Sequence, residues 1–107
     1  MNLHYDKQGN PISMEEWVVL FEDFDNRVVG KSETAAGCLV STVWLGLDHS
    51  FGEGPPLIFE TLAYCDHLST NEMERYATLE EAQAGHTRWV EFLENLHEAL
   101  EEEKDQE

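Results

Sequence analysis

The sequence predicts an α+β fold, a two-layer sandwich in which a three-stranded antiparallel meander packs one face against an N-terminal helix and a long C-terminal helix. Apolar residues recur at helical spacing near both ends of the chain, and segments rich in β-branched and aromatic residues lie between them. The 107 residues, 41% of them hydrophobic, are enough for one domain with a core that needs no metal or disulfide. Strands and helices do not alternate along the chain, so nothing requires a parallel sheet.

The first helix is predicted over residues 14–22. Ser13 precedes it and Glu16 follows three residues later, which is the spacing of a capping box whose two side chains bind backbone N–H groups of the first turn. Apolar residues then recur every three or four positions, so one face of the helix is expected to be buried: Met14, Trp17, Val18 and Phe21.

Three strands are predicted, over residues 27–34, 38–47 and 57–64. The second is the central strand, and both of its faces carry large apolar groups, so we expect burial of one face and partial cover of the other. A nine-residue loop, 48–56, joins it to the third strand, and loops of this length often carry function. Residues 65–77 are polar and are expected to be irregular or to form a short helical turn.

The last helix begins with a second capping box, formed by Thr78 and Glu81. A stripe at spacings of three and four follows: Leu79, Ala82, His86, Trp89, Leu93, Leu96 and Leu100. Gly85 costs about 1 kcal/mol in a helix interior, which predicts that a strand or a side chain approaches closely there. Residues 101–107 contain no apolar side chain, so we expect a single domain over residues 1–100 and a frayed or disordered acidic tail after it.

The composition is strongly acidic, with six basic residues against 23 acidic ones and a net charge of −17. Nucleic acids and anionic membranes are therefore unsuitable as direct partners, because both are bound through Lys and Arg. Such a field favours a basic protein surface or a divalent cation, although acidity can also serve solubility alone. The five histidines are scattered without zinc-ligand spacing, so neither a structural metal nor a cofactor is predicted.

The two cysteines, Cys38 and Cys65, have no short CxxC spacing, and they would face each other only if their strands pair. The sequence shows no secretory signal and no long apolar run, which predicts a cytoplasmic protein with reduced thiols. The sequence alone leaves the pairing of the two cysteines open.

Residues 41–61 carry the most distinctive motif, a strand that ends in Trp-Leu-Gly-Leu-Asp-His, a glycine loop, and then Pro-Pro-Leu-Ile-Phe-Glu-Thr. This motif resembles one shared by small proteins of tailed bacteriophages and prophages. Segments 9–23 and 75–86 are similar to the same family, so the likeness covers about residues 9–90. The resemblance implies a small phage-type accessory protein in the host cytoplasm, and the family offers no assigned activity to carry over. The acidic C-terminus looks longer than the usual family end.

The loop after the central strand is the first candidate site. It contains Asp48, His49, Phe51 and Glu53, to which Glu60 and His86 could be added from neighbouring elements. Histidine and carboxylates suit divalent cations, and an aspartate beside a histidine could orient a general base. The alternative is a packed loop whose aspartate caps its own turn, together with a satisfied core histidine at position 86. Trp44 is a core anchor unless it faces outward, in which case it would be a hot spot for a partner.

The acidic end of the last helix is the second candidate. Its carboxylates could imitate the phosphate spacing of a duplex, or they could simply be solvated: Glu91, Glu94, Glu98, Glu101 and Glu102. No nucleophile elbow or Ser-His-Asp order is present.

These observations favour a non-enzymatic accessory protein that binds a host or anti-phage defence protein through its acidic surface. The alternative is a small-molecule-binding or metal-binding protein, such as a hydrolase, built on Asp48, His49, Glu60 and His86. The expected assembly is a monomer or a weak homodimer, the latter paired through the apolar stripe of the last helix.

Overall fold

The computed structural model describes residues 3–35, 37–50, 54–65 and 70–105. Its elements are, in chain order, α1 (Met14–Glu22), α2 (Phe24–Arg27), β1 (Val28–Glu33), β2 (Leu39–Trp44), β3 (Phe59–Cys65), β4 (Thr70–Tyr76) and α3 (Leu79–Asp105). The four strands form one antiparallel sheet in the order β1-β2-β3-β4, and α3 contacts every strand. The predicted α+β class is confirmed, whereas the predicted number of three strands is wrong.

The additional strand, β4, lies in the polar segment for which we predicted irregular structure or a short helical turn. It pairs with β3 over its whole length, from Phe59↔Tyr76 to Cys65↔Thr70. Because β4 is an edge strand, charged side chains are tolerated there and discourage pairing with other chains. Of its described side chains only Tyr76 is buried, so the strand lacks the apolar alternation by which a strand is recognised in a sequence.

The N-terminal helix α1 has the predicted bounds and the predicted cap. The amide N–H of Glu16 donates to Oγ of Ser13 at 3.1 Å. Nε1 of Trp17 donates to the backbone oxygen of Leu45 at 2.9 Å, which fastens α1 to the segment that follows β2. The short helix α2, which the sequence analysis did not predict, follows at once and is capped by Asp23.

Strand β2 ends at Trp44, earlier than the predicted residue 47. Gly46 has a φ of +71°, and a Cβ at this position would overlap the rings of Trp17 and Trp44. Both the backbone conformation and the available space therefore require glycine in the middle of the motif. The amide N–H groups of Leu45 and Gly46 donate to the backbone oxygen of Ile58 at 2.8 and 3.2 Å, so the chain stays attached to the segment before β3 as it turns.

In the described part of the chain, the core between the sheet and α3 contains two clusters. One contains Cys38, Val40, Ala63, Cys65 and Leu93. The other contains Trp44, Ile58, Phe59, Tyr76 and Ala82, and residues of α1 pack against it. The predicted stripe of the last helix supplies one fully buried side chain to each cluster, which explains why a single long helix can cover the sheet.

Cys38 and Cys65 are joined by a disulfide, with their Cα atoms 4.3 Å apart and both residues 0% exposed. The neighbouring pair Leu39↔Tyr64 sets the register that brings the two cysteines opposite each other. This bond differs from the expectation of reduced thiols. That expectation was based on the predicted cytoplasmic location and did not consider the register of the strands.

Helix α3 is 27 residues long, which corresponds to about 40 Å. It begins at the predicted cap, where Oγ1 of Thr78 accepts a hydrogen bond from the amide N–H of Glu81 at 3.1 Å. The helix continues to Asp105 without a break at residue 100, so most of the predicted tail has helical backbone. Fraying of residues 101–107 stays a prediction, since it concerns motion. Within the described ranges, no helix is long and apolar enough to cross a membrane.

Candidate functional site

The first candidate, the loop after β2, is organised by the carboxylate of Asp48. Its Oδ1 accepts hydrogen bonds from the hydroxyl and the amide N–H of Ser50 at 2.6 and 2.8 Å, and from the amide N–H of Leu57 at 3.1 Å. The hydrogen bond from the Ser50 hydroxyl is the main cause that lowers the pKa of Asp48, against the opposing effect of burial. The aspartate therefore closes its own loop, which is the arrangement of a packed loop. Two other predicted members, Phe51 and Glu53, lie outside the described residues.

Two further predicted members, Glu60 and His86, lie on opposite faces of the sheet. Glu60 alternates with the buried Phe59 and Thr61, so it points away from α3, and it forms an ion pair with Arg75 at 3.1 Å. His86 belongs to α3 and contacts the inner face of the sheet. The structure does not bring these two side chains into one site. In the described part of the chain, no group of three His, Cys, Asp or Glu side chains is placed to hold a metal ion.

His49 and Trp44 flank the start of the same loop. The amide N–H of His49 donates to the backbone oxygen of Leu57 at 3.0 Å, which adds a second link across the loop. Trp44 is 0% exposed and belongs to the core cluster with Ile58 and Phe59. A partner cannot reach a side chain in this position, so Trp44 is a core anchor and not a hot spot.

A chain of hydrogen bonds crosses the interface between the sheet and α3. Nδ1 of His86 lies 2.8 Å from Oγ1 of Thr42, which lies 2.6 Å from Oγ1 of Thr61. On the other side of the ring, Nε2 of His86 lies 2.8 Å from Oγ of Ser32. We call the whole set the polar chain, and its members are Ser32, His86, Thr42, Thr61, Tyr76 and Glu74.

The polar chain ends at the carboxylate of Glu74. The hydroxyl of Tyr76 lies 3.0 Å from Oγ1 of Thr61 and 2.8 Å from Oε1 of Glu74. The same carboxylate oxygen accepts from Nη2 of Arg88 at 3.0 Å and from Nε1 of Trp89 at 3.1 Å. Each strand of the sheet thus contributes to one connected set of side chains that is completed by α3.

The carboxylate end fixes the direction of every hydrogen bond in the polar chain. An ionised Glu74 can only accept, so Tyr76 donates to it and its single hydroxyl proton is used. The hydroxyl of each threonine also has one proton, so Thr61 donates to Tyr76 and Thr42 donates to Thr61. Thr42 can then only accept a hydrogen bond from the ring of His86. Nδ1 of His86 therefore carries the proton, and Nε2 accepts from Ser32.

The protonation states along the polar chain agree with this direction. Burial lowers the pKa of His86, which favours the neutral ring. Burial alone would raise the pKa of Glu74, but the hydrogen bonds that it accepts from Tyr76, Arg88 and Trp89 lower it overall. Burial and the neighbouring carboxylate raise the pKa of Tyr76, so the phenol keeps its proton.

The pair of Ser32 and His86 has the distance of a nucleophile and its base, but the rest of a catalytic triad is missing from the geometry. A histidine that removes a proton is stabilised by a carboxylate on its other nitrogen. Here that position is taken by Thr42, a neutral hydroxyl, and burial disfavours the imidazolium. The polar chain is therefore suited to holding α3 in one register on the sheet, as a satisfied core histidine would do.

Sequence reasoning found His86 and missed its partners. Thr42 lies on the face of β2 that also carries Val40 and Trp44, and all three are buried. A threonine at a core position opposite a histidine on the helix stripe is a signal that could have indicated a buried polar pair. The contribution of Glu74 gave no such signal, because β4 itself was not recognised.

Two grooves open near these elements. The larger, about 550 Å³, lies between residues 7–9, the Pro55-Pro56 end of the loop and the first turn of α3. The smaller, about 240 Å³, is lined by Glu74, Arg88, Trp89 and Phe92 at the carboxylate end of the polar chain. Both are open to solvent along one side, and neither contains the pair of Ser32 and His86.

The second candidate is the outward face of α3, on which five exposed carboxylates form what we call the acidic ridge: Glu91, Glu94, Glu98, Glu101 and Glu102. At 3.6 residues per turn these positions fall within an arc of about 100°. The buried Leu93 and the half-buried Trp89 and Leu100 point to the other side of the helix. The ridge therefore faces solvent, on the side of the helix opposite to the residues that pack against the sheet.

Comparison of the chain with known proteins assigns no function to it, so the function is inferred from this geometry. No protein-family model, no curated protein and no solved structure matches the chain.

Proposed function

We propose that this chain is a non-enzymatic accessory protein that binds a basic surface of a host or anti-phage defence protein. The observation that carries the proposal is the acidic ridge, five solvent-exposed carboxylates aligned on one face of a long helix. The resemblance of residues 41–61 to proteins of tailed phages motivates the choice of a bacterial partner and of the host cytoplasm as the place of action.

The charge spacing of the ridge supports imitation of a nucleic acid. From Glu91 to Glu102 the helix rises by about 16 Å, so its five carboxylates are spaced about 4 Å apart along the axis. A single strand of duplex DNA carries one charge per about 3.4 Å. A surface of Lys and Arg that is built to bind phosphates would therefore meet a similar linear charge density on α3.

Positive charge is scarce in the chain as a whole. The chain has six basic residues, and Arg75 and Arg88 form ion pairs with Glu60 and Glu74, neither of which belongs to the ridge. A basic partner would lower the mutual repulsion of the ridge carboxylates, and this effect would accelerate association at low ionic strength.

The test is capture of host proteins on the intact chain, followed by elution with duplex DNA. The ridge variant replaces Glu91, Glu94 and Glu98 by Gln. A matched control replaces three exposed glutamates outside the ridge by Gln: Glu15, Glu22 and Glu72. Both variants change the net charge by the same amount, so they separate the ridge from the overall charge. His49→Ala tests the loop after β2 in the same experiment.

The expected result is a retained basic protein that duplex DNA displaces, that the ridge variant loses and that the control variant keeps. Retention should also fall as salt rises, because exposed charges are screened. Equal losses with both triple variants would show that overall charge, and not the ridge, attracts the protein. Loss with His49→Ala alone would place binding at the loop, and a captured protein that DNA does not displace would exclude imitation of a nucleic acid.

A further inference from the structure

The face of the sheet that points away from α3 has an apolar centre. On β2 and β3, buried residues alternate with residues of the other face. Four large side chains on that other face are between 42% and 50% exposed: Leu39, Leu62, Tyr64 and Met73. They are neighbours, since Leu39 pairs with Tyr64 and Leu62 pairs with Met73 in the register of the sheet. We call this surface the open face.

The open face is electrically neutral, unlike the rest of the molecule. In the described strands, its charged residues are Lys31 and Glu33 on β1 with Glu60 on β3 and Arg75 on β4, which gives two of each sign. Two of the six basic residues of the chain are therefore on this surface, and the whole net charge of −17 is carried elsewhere. The glutamates of β4 that could have made it acidic, Glu72 and Glu74, pair with Ala63 and Thr61 and so belong to the inner face.

We propose that the open face is the contact surface between two copies of this chain in a homodimer. A partner attracted by the acidic field would be basic, and the open face offers such a partner no excess of carboxylates. A second copy instead meets equal numbers of positive and negative side chains around an apolar centre, so the same surface can face itself across a two-fold axis without net repulsion. Packing of the two sheets face to face also leaves both α3 helices, and their acidic ridges, on the outside of the dimer.

The size of the open face sets the strength of this dimer. Four strands about 4.8 Å apart and three rows of side chains about 6.7 Å apart give roughly 400 Å² per copy. The total of roughly 800 Å² is below the 1,200–2,000 Å² that is typical of stable interfaces. The dimer is therefore weak, and repulsion between two copies of charge −17 weakens it further at low salt.

Dimer formation should depend on salt in the opposite way to binding of a basic partner. The inference of a dimer does not rest on the proposed function. Binding of a basic partner through the acidic ridge weakens as salt rises. Association of two acidic copies through a neutral apolar surface strengthens, because salt screens the repulsion and leaves the apolar contact in place. The two surfaces can thus be distinguished in one titration.

The experiment is sedimentation equilibrium of the full chain over a range of concentrations, at low ionic strength and at roughly 1 M NaCl, where the screening length is about 3 Å. The test variant is Leu62→Thr, a change at a half-exposed strand position that removes apolar surface and introduces a β-branched residue suited to a strand. The matched control is Val19→Thr, at a side chain on α1 that is 69% exposed. Met73→Thr on β4 is the second test variant, and thermal unfolding checks that each variant is folded.

We expect a monomer–dimer equilibrium that shifts towards the dimer in high salt. Leu62→Thr and Met73→Thr should each weaken it about tenfold or more, because a two-fold interface loses both copies of the side chain. Val19→Thr should leave it unchanged. A chain that stays monomeric under both conditions overturns the proposal and leaves the open face for a different protein. A dimer that neither test variant weakens also overturns it and indicates pairing through α3.

Discussion

The phenol ring of Tyr76 lies directly against Gly85, at a point on α3 where any Cβ would overlap the ring. Tyr76 is the last residue of β4, and Gly85 lies in the second turn of α3. This contact lets the helix approach the edge strand closely enough for the phenol hydroxyl to reach Thr61 and Glu74. The close approach predicted from a glycine in a helix interior is therefore present, and its cause is a single aromatic side chain.

The first prediction is that Gly85→Ala destabilises the protein. Alanine is the better helix former by about 1 kcal/mol, so the same change in an exposed helix would stabilise it. Here the added methyl group must displace a buried and hydrogen-bonded ring, and overpacking of this kind costs about 1–3 kcal/mol. The free energy of unfolding from chemical denaturation measures the difference.

Two further variants make this test specific. Ala84→Gly, at the exposed neighbouring position, should lose only the helix propensity of about 1 kcal/mol. The combination of Gly85→Ala with Tyr76→Phe should cost less than the sum of the two single changes, because loss of the hydroxyl frees part of the space. A Gly85→Ala protein that is more stable than the parent would contradict the close contact.

The second prediction concerns the proton on His86. The direction of the polar chain requires the neutral ring to be protonated on Nδ1 and unprotonated on Nε2. Nitrogen chemical shifts of the ring at neutral pH distinguish this tautomer from the commoner one with the proton on Nε2. Glu74→Gln should disturb the assignment, because an amide can donate to Tyr76 and so release the constraint on the threonines.

The third prediction is the pH dependence that follows from the same ring. Burial lowers the pKa of His86 below the ordinary histidine value of about 6.5, so below this pH the unfolded chain binds a proton more readily than the folded one. The stability contribution is complete above about pH 6.5 and is lost as pH falls from there towards the folded pKa. His86→Asn keeps a donor towards Thr42 and cannot titrate, so the variant should lack this component.

The difference between the parent and His86→Asn isolates one histidine, because the other four histidines are the same in both proteins. A second loss of stability at lower pH belongs to Glu74 and Asp48, whose pKa values are lowered in the folded protein. That loss should occur in both proteins as pH falls below about 4.5. Identical pH profiles between pH 5 and 7 would show that His86 is not held neutral by burial.

Most of the architecture follows from local patterns in the sequence. Both capping boxes predict the starts of α1 and α3, because Ser13 and Thr78 act within a few residues of chain. The strand at 70–76 does not follow from local pattern, since its stability depends on pairing with β3 and on one buried side chain, Tyr76. Edge strands are specified by their neighbours, and a single sequence gives no view of those neighbours.

The candidate sites also divide into features that follow from local sequence pattern and features that depend on strand pairing. The acidic ridge could be predicted because helical periodicity alone places Glu91, Glu94 and Glu98 on one face. The grouping of Glu60 with His86 could not be judged, because it depends on which face of β3 points to the helix. A shift of one residue in that register would exchange the two faces. The pairing of Cys38 with Cys65 depended on register in the same way.

The fourth prediction is that the protein isolated under oxidising conditions has no free thiol. The disulfide joins residues separated by 27 positions, and closure of a loop of this length is worth about 3–4 kcal/mol through the entropy of the unfolded chain. Reduction should therefore lower the free energy of unfolding by about that amount. The paired variant Cys38→Ala with Cys65→Ala should be insensitive to reductant. A thiol titration that finds both groups free in the denatured protein would contradict the bond.

The last prediction separates the binding role of the acidic ridge from its effect on stability. Like charges three or four residues apart on a helix repel by about 0.2–0.5 kcal/mol per pair. Replacement of Glu91, Glu94 and Glu98 by Gln should therefore raise the melting temperature while it abolishes capture of a basic partner. The matched variant at Glu15, Glu22 and Glu72 should show no such rise, because these residues are not three or four positions apart on one helix. In α1 the loss of a favourable charge in the first turn, at Glu15, opposes the gain at the last residue, Glu22. High salt should remove the stability difference between the two variants, because it screens the repulsion.

If the ridge variant melts lower than the parent at low salt, then the ridge carboxylates make stabilising contacts in the folded chain, and their role as a surface reserved for a partner is excluded.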